Sequence, residues 1–245
     1  MSYLGMIQTA MQMIKHVENP NILEIGIDKG HSCFTIVHNL YDMFDKFYYT
    51  GIDIIVDPKI PDALNQMYGV NVFSGENYEN SNVKIIQKNS LAFLQDEISI
   101  DSSDYDIVFV DGDHNYFTVS HELSMIDKIS NSYNTLIVCD DYFGRWSERD
   151  GFYSERKDYS HTRQNLENSI EFNESGSIKI DPERSTAPIS LEKEGVKNAI
   201  DDFLRENKHW SMLVFKNEET ESHYESVILY KNEFYEADKG LEENE

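Results

Sequence analysis

Short apolar runs alternate with helical periods along most of this chain, and that rhythm leaves few folds open. Ile22-Leu23-Glu24-Ile25 reads as a short buried strand. It runs into a glycine turn, Gly26 to Gly30, after which Cys33, Ile36, Val37 and Leu40 recur at helical spacing. Phe47 to Ile55 is aromatic and β-branched, with Asp53 near its end. Val83 to Ile86 is a third strand, followed by Ser90 at a helix start. Tyr105 to Val110 is a fourth, ending in Asp111, and Val119, Leu123 and Ile126 mark the helix after it. Thr135 to Cys139 is a fifth strand, ending in Asp140-Asp141. Residues 57–68 are compatible with a short helix, and 71–82 read as loop. Strands separated in this way by helices predict a Rossmann-like, doubly wound α/β sheet with helices on both faces.

The two ends of the chain complete that picture. Leu4, Ile7, Met11 and Ile14 predict an amphipathic N-terminal helix within 1–18, stopped by Asn19-Pro20-Asn21. Val196, Ile200, Phe203 and Leu204 predict a late helix, and two strands follow, Trp210 to Phe215 and Tyr224 to Tyr230. Their short connection requires them to be antiparallel, because a parallel pair needs a long crossover. The sheet is therefore expected to be mostly parallel with a C-terminal antiparallel strand, in one domain spanning 1–245. Residues 142–190 break the rhythm, and 146–190 read as an insertion or lid shaping an acceptor site. Residues 233–245 read as an acidic, solvated tail.

Composition sets the partners. With 21 Lys+Arg against 45 Asp+Glu, the formal net charge is −24, and no basic stripe interrupts it. A phosphate backbone or an anionic membrane face would be repelled, so neither nucleic acid nor membrane is expected as a partner. No apolar run approaches the ~20 residues that span a bilayer, and the N-terminus lacks the pattern of a secretion signal. Cys33 and Cys139 are too few for a disulfide framework or a structural zinc site. A reducing, cytoplasmic setting is the expectation. A homo-oligomer is compatible with the sequence.

In parallel α/β sheets, ligands bind outside the carboxyl ends of the strands, and here four of five such ends carry acids. Gly26 and Gly30 permit a tight turn and close approach of a ligand. Asp53, further along, stands where a second-strand acid accepts both ribose hydroxyls. Asp28 replaces the middle glycine of a dinucleotide fingerprint and would repel a pyrophosphate, which favours an adenosyl cofactor without phosphates. Asp111, Asp140 and Asp141 would converge if the fourth and fifth strands are neighbours. Their repulsion calls for a hard divalent cation such as Mg²⁺. His114, three residues past Asp111, is placed to accept a proton. Helix capping is the alternative reading of Asp113 or of one of Asp140 and Asp141. Trp146, Phe152, Tyr153 and Tyr159 would stack on an acceptor or pack a lid or subunit interface.

The segments ILEIGIDKGHS, YTGIDII, IIQKNS, DIVFVDGDHNY and LIVCDDY resemble, in this order, the class I S-adenosylmethionine-dependent O-methyltransferases. The likeness is to the metal-dependent ones, of the catechol and caffeoyl-coenzyme-A type and of the macrocin and mycinamicin sugar type. It covers roughly residues 20–145, and DGDHxY is similar to the sugar-modifying branch. The resemblance implies S-adenosylmethionine as cofactor. Glu24, Gly26, Asp28, Gly30 and Ser32 would line its methionine portion, Asp53 would hold the ribose, Ile54 would lie against the adenine, and Ser90 would sit at its edge. It also implies Asp111, Asp140 and Asp141 as ligands of Mg²⁺ or another divalent cation, with Asp111 also beside the cofactor, and His114 as general base. Relatives carry an aromatic residue where this chain has Asp28. The acceptor would be a small-molecule hydroxyl, of a sugar or glycoside first and of a catechol-type phenol second. Two other readings remain: a non-catalytic S-adenosylmethionine-binding protein, and a Mg²⁺-dependent phosphatase, whose acid pattern belongs on a first strand rather than a fourth.

Overall fold

Side chains of opposite parity on each strand leave for opposite faces of one sheet, and each face is covered by three helices. The computed structural model describes residues 3–68, 73–74, 82–100, 104–130, 134–151, 193–216 and 223–232. Its elements run α1 (Tyr3–Met13), β1 (Asn21–Ile25), α2 (His31–Met43), β2 (Tyr48–Asp53), α3 (Lys59–Tyr68), β3 (Phe73–Ser74), β4 (Val83–Gln87), α4 (Ser90–Ile100), β5 (Ile107–Val110), α5 (Tyr116–Ile129), β6 (Leu136–Cys139), α6 (Val196–Glu206), β7 (Trp210–Lys216) and β8 (His223–Lys231). The strands lie in the order β3-β4-β2-β1-β5-β6-β8-β7. Strand β8 is antiparallel to both of its neighbours, while the pairs from β3 across to β6 are parallel. This is the doubly wound, mostly parallel sheet with a C-terminal antiparallel strand.

Ile107 and Phe109 face one core with Met6, Ile7, Ala10 and Met11 of α1 and with the buried residues of α2 and α3. Val108 and Val110 face the other, with Leu94 of α4, Val119, Leu123 and Ile126 of α5, and Ile200 and Phe203 of α6. Burying each such side chain is worth about 1.5–3 kcal/mol, so a one-residue slip of any central strand would exchange its faces and forfeit both sets.

Three local expectations need correction. The N-terminal helix ends at Met13, short of residue 18, and Leu4 is 40% exposed. Its buried stripe is Met6, Ile7, Ala10 and Met11, shifted because the sheet lies under that side. Within 71–82, read as loop, Phe73–Ser74 pairs in parallel with Lys84 and Ile85 as a short edge strand. Asn115, and not Asp113, caps α5: its Oδ1 accepts from the Thr118 N–H at 2.8 Å. Helix α4 begins at Ser90 as expected, capped by Asn89, whose Oδ1 accepts from Leu91 N–H at 2.9 Å. Phe152, Tyr153 and Tyr159, most of the 146–190 insertion and the 233–245 tail lie outside the described residues. Among the described residues no helix is long and apolar enough to cross a membrane.

One buried acid makes the packing pH-dependent. Glu122 of α5 is fully buried, and burial pushes its pKa up to about 8; Asp113 adds to the rise, while the Ser90 hydroxyl offsets part of it. Between the ordinary carboxylate range and pH 8 the folded chain keeps a proton that the unfolded chain releases, so stability falls as pH rises through that window. Glu122→Gln removes this contribution. The gap between the melting temperatures at pH 5 and pH 8 is expected to narrow by roughly 2–4 °C or more; thermal denaturation at the two pH values measures it, and an unchanged gap refutes the assignment.

Candidate active site

Four adjacent parallel strands end level with one another, and their ladder extends a residue into the loops. Gly26 N–H donates to Ile52 O at 2.9 Å, Asp111 N–H to Ile25 O at 2.9 Å, Asp140 N–H to Val110 O at 3.1 Å, and Lys88 N–H to Asp53 O at 2.8 Å. The sequence-predicted acids are thereby set side by side along the carboxyl edge of β2, β1, β5 and β6. Gly26 has φ +93°, and a Cβ on it would overlap the carbonyl of Asp111 and crowd Gly112 Cα. This glycine permits a close approach of the chain's own loop after β5. It brings the β1 and β5 loops together backbone on backbone.

Asp53 holds the turn that follows β1. Its Oδ2 accepts from Ile27 N–H at 2.8 Å and Asp28 N–H at 2.9 Å, and its Oδ1 from Ile55 N–H at 3.0 Å. Asp28 sits at φ +44°, a left-handed position Asp tolerates better than most residues, with its side chain exposed at the tip. Gly30, at φ +85°, caps α2, and Ser32 lies buried in that helix's first turn. Ile54 follows β2 and is half-buried; Ser90 opens α4 beside Glu122.

Glu24 is fully buried on β1. Tyr49 of β2 donates its hydroxyl to Oε2, and Oε1 has no hydrogen-bond partner. Burial raises the Glu24 pKa to about 7, against the pull of the Ser32 and Tyr49 hydroxyls and with a push from Asp53.

The carboxyls of Asp111 and Asp140 are close neighbours and perturb each other's titration. Burial, Asp140, Glu24 and Asp141, in that order, hold the Asp111 pKa far above the ordinary range. The Ser226 hydroxyl of β8 donates to Asp140 Oδ1 at 2.6 Å. Asp141, at φ +58°, rises to about 6 through burial and through Asp140 and Glu225, with Arg145 opposing. His114 lies between two of these acids: Nδ1 is 3.5 Å from Asp141 Oδ2, and Nε2 is 3.8 Å from Asp111 Oδ1. Its pKa is lowered to about 4 by burial and by Arg145. The backbone of His114 is pinned by Gly151, whose N–H donates to its carbonyl at 2.7 Å.

The donor chemistry here fits a hard divalent cation: three neighbouring carboxylates, with Asp140 helping to hold up the pKa values of Asp111 and Asp141. Among the described residues, however, no three such side chains already converge on a common point. Asp111 and Asp140 form the close pair, while Asp141 turns toward His114 and packs against Gly144.

Several site residues were not singled out from the sequence. Tyr49 reads there only as a strand aromatic. The Tyr3 hydroxyl of α1 is buried without a partner, its pKa raised by burial and by Asp111, Glu24 and Asp140. Ser226, a polar residue among apolar neighbours, carried a faint signal. Trp146 is the one described member of the aromatic set. Gly151 lies against its ring, Arg145 and Arg149 stand over it at 4.3 and 5.0 Å, and it is near-parallel to His114 at 6.5 Å. The ring packs the wall of the site.

Sheet order, glycine turn and aligned acids together resemble those of class I S-adenosylmethionine-dependent methyltransferases. Residues 23–142 match the family model described as a methyltransferase domain. Among solved structures, an O-methyltransferase from Bacillus cereus in complex with SAH is 14% identical, over 93% of this chain and 81% of that one, with a TM-score of 0.53. TomG from Streptomyces achromogenes, in complex with SAM and involved in tomaymycin synthesis, is 11% identical, over 93% and 80%, with a TM-score of 0.54. PaMTH1 from Podospora anserina, bound to SAH, is 16% identical, over 93% and 78%, with a TM-score of 0.50. These likenesses show a shared fold. No curated protein matches the sequence.

The contact between the β1 and β5 loops makes a sharp comparison available. Gly26→Ala combines a left-handed φ with a backbone overlap and is expected to cost about 2–3 kcal/mol, a fall in Tm of roughly 5–10 °C. Gly112→Ala, whose Cβ meets nothing nearer than a side-chain carbon at 3.1 Å, should cost less than half as much. Equal losses in thermal denaturation would contradict the close-approach role.

Proposed function

We propose that this methyltransferase transfers the methyl group to a hydroxyl of a small molecule, a sugar or glycoside, with a divalent cation held by Asp111, Asp140 and Asp141. The observation that carries the reading is the set of carboxylates and the neutral imidazole of His114 gathered beside the glycine turn. The order DGDHxY motivates the sugar hydroxyl, and a catechol-type phenol is the second acceptor to test. The cation, when bound, would grip the acceptor oxygen and lower its pKa.

The chain's own residues supply the rest. Asp53 steadies the Ile27–Asp28 turn through two amides and, with Ile54 and Ser90, bounds the adenosine side of the cofactor. Glu24, Gly26, Asp28, Gly30 and Ser32 line its methionine side. Glu24 Oε1, buried and unpartnered, is the acceptor for the cofactor's ammonium group. His114 takes the hydroxyl proton at Nε2, because Asp141 beside Nδ1 favours the tautomer with its hydrogen on Nδ1. With a pKa near 4 the ring is neutral at pH 7 and carries one unprotonated nitrogen. The acceptor oxygen then attacks the sulfonium methyl in line; the new O–C bond forms as the S–C bond breaks, and the cofactor leaves as S-adenosylhomocysteine. Holding oxygen and methyl at near-attack distance provides much of the acceleration. The described stem of the 146–190 insertion reaches His114 through Gly151, which supports a place for that insertion beside the acceptor.

Methyl transfer to a panel of glycosides and catechols, with and without added Mg²⁺, tests the reading. Activity should vanish with chelator and with Asp140→Ala, while calorimetry still shows cofactor binding. His114→Gln is expected to lower kcat by about 10²–10⁴-fold. Full activity of Asp140→Ala in chelator would refute the metal role. Cofactor binding without transfer to any acceptor would favour a non-catalytic binding protein.

A further inference from the structure

Tyr49 carries a polar group that the reaction outlined above does not use. Its side chain is fully buried between β2 and the α1–α2 face, yet its hydroxyl is not idle: it donates to Glu24 Oε2 across the β1–β2 pair. The strand register explains how it reaches. Ile22 pairs with Tyr49 and Glu24 with Gly51, so the phenol must extend along the sheet by two residues over the position opposite Glu24. That position is a glycine. A Cβ on Gly51 would stand 2.5 Å from the Tyr49 hydroxyl and 3.0 Å from Ile27 Cδ1. Gly51 has no positive φ, so the backbone does not demand glycine there; the space over it does.

We infer that Tyr49 is a positioning residue for cofactor binding: by occupying Oε2 of Glu24 from the protein side, over the gap left by Gly51, it turns Oε1 toward the cofactor's ammonium group and holds it there. This rests on the proposed role of Glu24 toward the methionine portion. The supporting chemistry is one of satisfied and unsatisfied lone pairs. A buried carboxylate with one oxygen bonded and one left bare is costly unless a ligand completes it. The Tyr49 phenol, its pKa held well above the ordinary value by burial first, stays a neutral donor. Ser32, in the first turn of α2, adds a second hydroxyl that favours the anion. A side chain filling the core alone would need neither the hydroxyl nor the glycine beneath it.

Isothermal titration of the chain of residues 1–245 with S-adenosylhomocysteine and with 5′-methylthioadenosine, which lacks the ammonium and carboxylate, separates positioning from folding. For Tyr49→Phe, binding of S-adenosylhomocysteine is expected to weaken about tenfold, with 5′-methylthioadenosine unchanged. The KM for S-adenosylmethionine should rise more than kcat falls. Gly51→Ala, which crowds the hydroxyl without removing it, should reproduce the loss, and Glu24→Gln combined with Tyr49→Phe should be no worse than Glu24→Gln alone. Unchanged binding of S-adenosylhomocysteine in Tyr49→Phe, or equal losses for both ligands, overturns the inference while leaving the cofactor reading intact. Failure of the wild-type chain to bind either ligand overturns both.

Discussion

Four parallel strands stop level with one another because their hydrogen-bond ladder continues past the last strand residue, from Ile52 to Gly26, Ile25 to Asp111 and Val110 to Asp140. The positions of the acids follow from that continuation. At Gly26 the loops after β1 and β5 meet with no room for a Cβ, so the Asp111 loop takes its height from the glycine turn. Asp53 then ties the same turn to β2 through the Ile27 and Asp28 amides.

Bringing Glu24, Asp111, Asp140 and Asp141 together has an electrostatic cost, visible in raised pKa values with burial as the leading cause in each. Burial first, and then Asp140, hold the Asp111 pKa up, and His114 stays neutral between Asp111 and Asp141. Positive charge in a ligand, whether an ammonium or a cation, answers both this crowding and the bare oxygen of Glu24. The overall charge of −24 says little about this; a few buried acids carry the local field.

Much of the site was legible in the sequence because its main acids stand at strand ends, and strand ends are marked by where an apolar run stops. Asp53, Asp111, Asp140 and Asp141 needed only that. Their neighbours were harder. Tyr49 reads as an ordinary strand aromatic until the β1–β2 register sets it beside Glu24, and Gly51 as an ordinary glycine until the phenol is laid over it. Tyr3 reaches the cluster from α1, and Ser226 from a strand distant in sequence. Gly26 was noticed for the close approach that it permits, but its spacing could not show that the loop after β5 is one of its neighbours. Leu4 failed because a helical period defines a stripe and leaves its rotation toward the sheet to packing.

By itself, the sequence determined the alternation of strand and helix, the two-sided burial of the central strands, the antiparallel final pair and the acids at the strand ends. Each is written in local periodicity or in the length of a connection. Only the tertiary structure decided the strand order, the rotation of α1, the pairing of Asp111 with Asp140 and the bond from Tyr49 to Glu24. These depend on which distant segments pack together, and the free energy that selects them comes from burial summed over the whole sheet rather than from any one stretch of chain.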